Sequence, residues 1–325
     1  MPMSTNIARR RLLAGAALAL CAGAQAQTAY PDKPIRFIVP YATGGATDAV
    51  ARMIGAKLSE SWGQQVIIEN RTGAGGQIGN SAVAKAAPDG YTVLIAITQL
   101  IQAESLYAKP PYVLADFAPV AQMTAGPVLL VVHHSVPANT LQEFVALVKS
   151  KPGIFAFGSY GVGSSAHISG EMLNRQAGLD MQHVPFRGAS ALATDLLGGQ
   201  ITVGFIDTGT VRPHLASGKL KILAVTGPQR HKTVPQVPTF AELGYKNFEP
   251  TGWTGVFLPA ATPKDIVKKL SDEIVRIVRT PEITQRIDAY GLAAAAKGVE
   301  EFSAAVPREA AIWQQVIREA GIRLD

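Results

Sequence analysis

Short apolar runs alternate with amphipathic segments along most of this chain, and that alternation is the strongest constraint on its fold. Continuous runs rich in Val and Ile are typical of strands that are covered on both faces, as in a parallel α/β sheet. Eight runs are predicted as strands: IRFIVP (35–40), QVIIEN (65–70), TVLIAI (92–97), VLLVVH (128–133), IFAFG (154–158), ITVGFID (201–207), KILAVT (221–226) and GVFLPA (255–260). The pattern therefore predicts the α/β class.

The segments between these runs carry helical patterns. Two apolar stripes at helical spacing are formed by Val50, Met53, Ile54 and Leu58, and by Leu141, Phe144, Val145 and Val148. The pair Thr262-Pro263 predicts an N-cap followed by proline at the first helical position. The helix that follows is predicted to bury Ile266, Leu270, Ile274 and Val278.

The first 26 residues have the composition of a cleaved secretory signal. Three arginines (9–11) precede an apolar run from Leu12 to Ala22, and Ala24-Gln25-Ala26 provides the small residues of a cleavage site. The general secretory route and the twin-arginine route both fit this order of residues. Cys21, the only cysteine, lies inside this segment. A lipoprotein attachment site there is disfavoured because Leu20 stands where such sites need a small residue. The mature chain therefore excludes disulfides and cysteine chemistry.

The charge of the mature chain is modest. The formal charge of +6 includes the three signal arginines, so that +6 − 3 leaves +3 after cleavage. No block of lysine and arginine remains, which argues against a nucleic-acid partner. No apolar run after residue 26 reaches membrane-spanning length, so we expect a soluble exported protein.

Two extended stretches, near 124–133 and 249–260, suggest crossovers between two domains. With 325 residues the chain is long enough for one or two domains. Two crossovers give a discontinuous first domain, 27–127 plus 252–325, and a second domain, 128–251. A ligand would then lie in the cleft between the domains.

Two glycine-rich loops that join a strand to a helix are candidate anion sites. The first loop, Tyr41–Asp48, contains Gly44 and Gly45 and precedes a helix that Thr47 or Asp48 can cap. The second loop, Ser159–Ser165, combines glycines with small hydroxyl side chains. A tight turn without a ligand is the plainer interpretation of either loop, but two such loops strengthen the anion interpretation. The candidate residues of these loops are Tyr41, Thr43, Gly44, Gly45, Ala46, Thr47, Asp48, Ser159, Gly161, Ser164 and Ser165.

A distal pocket is predicted from residues outside these loops. Arg187, with Gly188 beside it, can reach a carboxylate, and Asp207 ends a predicted strand. Thr98 and Gln99 follow the strand TVLIAI. A solvated Arg187 and an Asp207 that only caps local backbone are the alternatives.

The motifs of nucleotide, metal and hydrolytic sites are incomplete in this sequence. TGAGGQIG (72–79) has Ile78 where a dinucleotide fingerprint needs glycine, and no phosphate-binding lysine motif occurs. The six histidines show no metal-ligand spacing, and the GxSxG and HExxH motifs are absent. We therefore expect binding without catalysis, cofactor or metal. A hydrolase that uses Ser159 or Ser165, and a ligand-sensing component of a signalling system, are the alternatives.

Several motifs together resemble those of the tripartite tricarboxylate transporter substrate-binding proteins, the Bug family of periplasmic solute receptors. They are YPDKPIRFIVPYATGGATD, VIIENRTGAGGQIG, AAPDGYTVL, GSYGVGSSAH, VPFRGASALATDLLGGQITVGF, SGKLKILAV, VPTFAELG and EEFSAAVPREAAIWQQVIREAGI. The resemblance covers nearly all of the mature chain.

The resemblance implies a two-domain periplasmic-binding-protein fold, type II-like, with a small mono- or dicarboxylate held in the cleft between two lobes. It implies that the first and second loops grip one carboxylate through main-chain amides and small hydroxyls, and that Asp207 matches an aspartate of the family. It implies a periplasmic protein, expected as a monomer, that delivers its ligand to the transporter's membrane subunits or to a sensor. Tyr41 and Ala46 depart from the family's pattern, and Pro307 predicts a new helix start or a kink in the C-terminal helix.

Overall fold

A computed structural model describes residues 30–324 of the chain. The predicted signal, with Cys21, lies outside the described residues and stays a prediction. A compact unit begins at Lys33 and contains all the helices and strands given below.

Eleven strands are present in the described residues. They are β1 (Ile35–Val39), β2 (Val66–Asn70), β3 (Thr92–Ile97), β4 (Phe117–Gly126), β5 (Val128–His133), β6 (Ala156–Ser159), β7 (Gln182–Pro185), β8 (Val203–Asp207), β9 (Leu220–Val225), β10 (Gly252–Pro259) and β11 (Ala293–Lys297). All eight predicted strands are found, within a few residues of their predicted bounds.

The α-helices of the same part of the chain are α1 (Ala46–Trp62), α2 (Gln77–Ala84), α3 (Gln99–Leu106), α4 (Leu141–Ser150), α5 (Ser165–Ala177), α6 (Ala189–Gly198), α7 (Thr208–Val211), α8 (Lys264–Val278), α9 (Pro281–Ala289) and α10 (Val299–Ala320). Short 3₁₀ turns cover Ala74–Gly76, Leu114–Asp116 and Arg212–Ser217. No helix of residues 30–324 is both long and apolar enough to span a membrane.

The strands form two sheets, which define two lobes. The first lobe is built on six strands in the order β11-β4-β10-β3-β1-β2, and the second lobe on five strands in the order β7-β6-β8-β5-β9. The chain enters the second sheet between β4 and β5 and returns to the first sheet at β10. The α/β class is therefore confirmed, but the expected parallel sheet is mixed. The crossover strands β4, β5 and β10 pair antiparallel with their neighbours because they run from one lobe to the other.

Three strands were not predicted, and each has a weak strand signal. Polar and proline residues interrupt β4, β7 contains only QHVP, and β11 is almost entirely alanine. Alanine has a low preference for strands, so β11 depends on its pairing with β4 and not on its own composition.

The predicted apolar stripes are buried as expected in α1 and, apart from the half-buried Val145, in α4. The predicted start of α8 is wrong. Pro263 is its N-cap and Lys264 its first residue, because the Thr262 hydroxyl donates to the carbonyl of Pro259 at 2.7 Å instead of capping the helix. Val267 is buried on this helix, whereas Ile266 is only partly buried.

The C-terminal helix α10 does not begin anew at Pro307, so a new helix start there is wrong, while the alternative of a kink stays a prediction. The helix runs without a break from Val299 to Ala320 with the proline inside it. Buried residues on both sides of the proline, such as Phe302 and Trp313, pack both halves against the rest of the molecule. This packing offsets the loss of one backbone hydrogen bond.

Candidate functional site

The first loop ends at the N-terminus of α1, which no side chain caps. Gly45 is the N-cap residue, so the expected capping by Thr47 or Asp48 does not occur. Gly44 adopts φ +89°, a conformation that favours glycine. The N–H groups of the first turn are thus left for an acceptor from outside the helix.

Asp48 fixes the shape of this loop. Its buried carboxylate accepts hydrogen bonds from the backbone N–H of Gly44 at 3.0 Å, from Arg52 at 3.0 and 3.1 Å, and from Asn70 at 2.9 Å. Burial opposes ionisation of Asp48, but these hydrogen bonds outweigh it and hold the pKa of the carboxyl below its ordinary value. Its oxygens already have protein donors, so Asp48 positions the first loop.

Thr43 is also turned away from the cleft. Its hydroxyl donates to Asn70 Oδ1 at 3.2 Å, and the amide of Asn70 donates to the Tyr41 carbonyl at 2.9 Å. These contacts tie the first loop to the end of β2.

The serines of the second loop have different roles. The Ser159 and Ser164 hydroxyls both donate to the carbonyl of Gly161, at 3.0 and 2.7 Å, and Ser164 also caps α5. Ser165 is the one that faces the cleft, where its Oγ accepts a hydrogen bond from Gln102 of the first lobe at 3.1 Å. The loop is therefore shaped by Ser159 and Ser164 and presents Ser165.

A cavity lies between the two lobes where these loops meet. The space open to the centres of water molecules is about 70 Å³. Nine of the predicted site residues line it: Tyr41, Gly45, Ala46, Thr47, Asp48, Thr98, Ser165, Gly188 and Asp207. Seven others do not, namely Thr43, Gly44, Gln99, Ser159, Gly161, Ser164 and Arg187.

Twelve further residues complete the lining and were not named as candidates, although Ala42 and Tyr160 lie within the two predicted loops. They are Ala42, Ile97, Thr124, Gly126, Pro127, Val128, Tyr160, Ala189, Gly252, Trp253, Thr254 and Leu292. Seven of the twelve lie within the two stretches that were predicted as crossovers, near 124–133 and 249–260. A cleft between two domains is bounded by the segments that connect them, so the crossovers were the signal that could have found these residues.

Trp253 forms part of the cavity wall, and two hydrogen bonds and a ring contact hold it in place. Its indole N–H donates to Glu309 of α10 at 2.6 Å, and its ring meets Phe302 edge to face at 5.4 Å. The Trp253 backbone N–H donates to the Thr98 hydroxyl at 2.9 Å. These contacts hold Trp253 in place at the cavity wall.

The lining contains no lysine, arginine or histidine among residues 30–324. Asp207 caps α7 through bonds from the N–H and hydroxyl of Thr210, at 2.8 and 3.0 Å, and burial raises its pKa. Burial likewise raises the pKa of Tyr41 and of Tyr160, so both phenols stay neutral. Arg187 is exposed and lies outside the lining. The cavity thus offers neutral donors beside apolar walls.

The two lobes touch across the cleft. Gln99 Nε2 donates to the Val162 carbonyl, and Ser190 Oγ donates to the Thr43 carbonyl at 3.4 Å. Gly75, at φ +64°, is so close to the second loop that a Cβ placed there would lie 2.5 Å from the Val162 oxygen. Gln99 therefore joins the lobes, although it was predicted to contact the ligand.

The described residues supply no evident catalytic machinery at this cavity. Ser159 Oγ lies 2.7 Å from His183 Nε2, but Ser159 is fully buried and outside the lining. Ser165 lines the cavity, and its side-chain neighbours are the Gln102 amide and the Tyr160 phenol, whose pKa is raised by burial, so neither is a base. Residues 30–324 contain no cluster of three or more His, Cys, Asp or Glu side chains that could hold a metal. The geometry is that of a binding site.

Comparison with known families decides between the remaining interpretations. The profile of the tripartite tricarboxylate transporter family receptor (TctC) matches residues 50–322. The chain belongs to this family. Members of the TctC family are solute-binding receptors, and the Bug proteins are among them. The resemblance seen in the sequence motifs is thereby confirmed.

Relatives match the TctC chain over nearly its whole length. The UPF0065 protein in the tcbD-tcbE intergenic region of Pseudomonas sp. (strain P51) is 37% identical over 323 residues, 98% of this chain and 96% of that protein. Protein BugT of Bordetella pertussis is 34% identical over 298 residues, 91% of each chain.

Solved structures show the same fold. The periplasmic binding protein BugD is 32% identical with a TM-score of 0.86, over 91% of this chain and all of its own. Rpa4515 of R. palustris with adipate is 30% identical with a TM-score of 0.86, over the same shares. MatC of Rhodopseudomonas palustris with bound malate is 33% identical with a TM-score of 0.84, over 89% of this chain and all of its own. The predicted two-lobed periplasmic-binding-protein fold is confirmed.

Proposed function

We propose that this TctC receptor captures a small carboxylate in the cavity between its lobes. The observation that supports this most directly is the uncapped N-terminus of α1, which opens into a cavity lined by neutral donors and apolar side chains. The two aspartates of the lining, Asp48 and Asp207, accept hydrogen bonds from protein donors. A carboxylate at a helix N-terminus gains roughly 0.3–1 kcal/mol from the helix dipole, and more when it is partly buried. Hydrogen bonds from the first-turn amides and from Ser165 add to this attraction.

The relatives support this ligand class. The structures of Rpa4515 and MatC, each about as similar to this chain as BugD, contain adipate and malate respectively. Both ligands are carboxylates with two acidic ends. This chain has no cationic side chain in the described cavity lining to meet a second carboxylate, so we propose that one carboxylate is bound directly and that a monocarboxylate is accommodated best.

The division into two closing domains is part of the proposal. The strands of 27–127 and 252–325 form one sheet and those of 128–251 form the other, which supports those boundaries. Residues of both lobes line the cavity, so a bound solute contacts both and favours the closed arrangement.

Export and delivery complete the proposed function. We propose that residues 1–26 direct the chain to the periplasm, by the general secretory or the twin-arginine route, and are then removed. The mature monomer would pass its ligand to the membrane subunits of a tripartite tricarboxylate transporter. Delivery to a sensor is the competing fate, and deletion of the transporter subunits separates the two through loss of uptake.

The test is a thermal-shift screen of the purified protein against benzoate, nicotinate, adipate and malate, with each methyl ester as its neutral control. We expect at least one free acid to raise the melting temperature, its ester to have no effect, and the acid to remain unchanged by NMR after incubation. Esters that stabilise as well as acids would overturn the carboxylate assignment. Consumption of the compound, abolished by Ser165→Ala, would favour the hydrolase alternative.

A further inference from the structure

Two stacked imidazole rings lie directly behind the second loop. His167 on α5 and His183 on β7 have ring centroids 3.8 Å apart and planes 20° from parallel, and Phe157 stacks on His183 at 5.0 Å. His167 is only 5% exposed, and neither histidine lines the cavity. Both rings therefore lie outside the ligand site described above.

Both rings contact the second loop from within the second lobe. The backbone N–H of Gly163 donates to His167 Nδ1 at 3.2 Å. On the other side, His183 Nε2 lies 2.7 Å from Ser159 Oγ, which itself accepts the N–H of Gly161 at 3.2 Å. Gly161 and Gly163 have φ of +154° and +73°, so the loop needs such partners to keep one of the many conformations open to glycine.

The bond from Gly163 fixes the protonation of His167. An N–H donor requires a lone pair on Nδ1, so the proton of the neutral ring is on Nε2. A second proton would have to enter at Nδ1, against the Gly163 N–H. The loop is therefore supported only by the neutral imidazole.

The second ring nitrogen of His167 faces a carboxylate. Glu171 of the same helix lies 3.7 Å from His167 Nε2, while Arg175 and Arg323 line the crevice that His167 also borders. From β7, His183 faces the ring, and burial together with the neighbouring His167 lowers the pKa of His183 to about 3. The carboxylate beside Nε2 favours the tautomer that keeps the proton there and leaves Nδ1 as the acceptor.

We propose that His167 is a positioning residue of the ligand site: its Nδ1 atom, by accepting the Gly163 N–H, holds the second loop in the conformation that binds the carboxylate. The effect reaches the cavity because Tyr160 and Ser165, which bracket this part of the loop, both line it. The inference rests on the proposed carboxylate function and deepens it.

The decisive variants are His167→Asn and His167→Gln. In His167→Asn the amide carbonyl oxygen can take the position of Nδ1 and accept the Gly163 N–H. In His167→Gln the side chain is one carbon longer, so its carbonyl oxygen lies beyond the Nδ1 position. His134→Asn, at an exposed histidine that touches neither loop, is the matched control.

The first measurement needs no ligand. In protein labelled with [¹⁵N]glycine, hydrogen exchange of the Gly163 amide is compared at one pH in wild type and in each variant. Loss of one hydrogen bond predicts roughly tenfold weaker protection in His167→Gln. We expect the protection of wild type to be kept in His167→Asn and in His134→Asn. Equal protection in wild type and both His167 variants would overturn the inference, and so would an unprotected Gly163 amide in wild type if the variants fail to fold.

The second measurement is calorimetric binding of benzoate, nicotinate, adipate and malate to the same variants at pH 8, where their carboxylates are ionised. Affinity should fall by roughly five- to tenfold in His167→Gln and be restored in His167→Asn. Equal affinities in wild type and His167→Gln would overturn the inference while the carboxylate function stands. Absence of binding in wild type, with the exchange pattern as expected, would refute the proposed function instead.

Discussion

Gly75 of the first lobe and Val162 of the second meet with no room for a side chain between them. A Cβ on Gly75 would lie 2.5 Å from the Val162 carbonyl oxygen and 2.8 Å from Gln99 Nε2, which bonds that same oxygen. Real Cβ atoms do not come this close to a backbone oxygen, so any larger residue at this position holds the lobes apart.

Substitution of Gly75 should therefore weaken binding without unfolding the protein. We expect Gly75→Ala to lower carboxylate affinity by about tenfold, because the closed cleft must widen. The matched control is Gly63→Ala, at φ +65° with no atom within 4 Å of the added Cβ, which introduces the same backbone strain without a clash. Calorimetry measures affinity and small-angle scattering measures closure. Equal affinities for the two variants would refute the role of this contact.

A large side chain at Gly45 should occupy the cavity directly. Gly45 has φ −76°, which any residue can adopt, and its added Cβ would meet Ser190 Oγ at 3.4 Å and the Ala42 carbonyl oxygen at 3.9 Å. We expect Gly45→Leu to abolish carboxylate binding and Gly45→Ala to reduce it mildly, with the melting temperature of the free protein nearly unchanged in both. Wild-type affinity in Gly45→Leu would mean that the first loop is not the binding site.

Arg187 should be dispensable for binding. The sequence suggests contact with the distal end of a dicarboxylate, but the side chain is exposed and outside the cavity lining. We expect Arg187→Ala to change the affinities for benzoate and adipate by less than about twofold, in line with the small effects of exposed charges. A selective loss of adipate binding, measured by calorimetry, would restore the predicted distal role.

Asp207 should make stability depend on pH in a recognisable direction. Burial raises its pKa in the folded protein, so between the unfolded and folded pKa values the native state binds the extra proton, and stability falls as pH rises through that interval. Asn keeps the capping acceptor without a charge. We therefore expect Asp207→Asn to raise the melting temperature at pH 8 and to have little effect near pH 4. A larger gain at pH 4 than at pH 8 would contradict this assignment.

The sequence predicted the strands and helices whose own composition matches the burial that the fold imposes on them. β1 and β3 are apolar runs because both faces of each strand are covered, and α1 shows its buried stripe directly. β11 has no such signal: alanine prefers helix, and only its pairing with β4 extends it. The course of α10 through Pro307 is likewise decided by packing on both sides of the proline.

The site was predictable where it consists of loops with a distinctive composition. Most residues of the first loop line the cavity, because glycines and a helix N-terminus define the local geometry of the loop. The second loop reaches it only through Tyr160 and Ser165, since Ser159 and Ser164 bond inward, which composition does not reveal. Thr124, Trp253 and Leu292 become site residues only when the lobes close the cavity between them, a relationship between distant segments.

Trp253 also provides an intrinsic fluorescence signal at the site. Trp253 lines the cavity and its indole N–H is held by Glu309, so we expect a bound solute to change its emission. The chain has three tryptophans, and Trp62 and Trp313 lie outside this cavity, so a double Phe variant at those two positions isolates the signal. The protein thus contains a native optical reporter, and its emission can follow capture and release in real time without any attached dye.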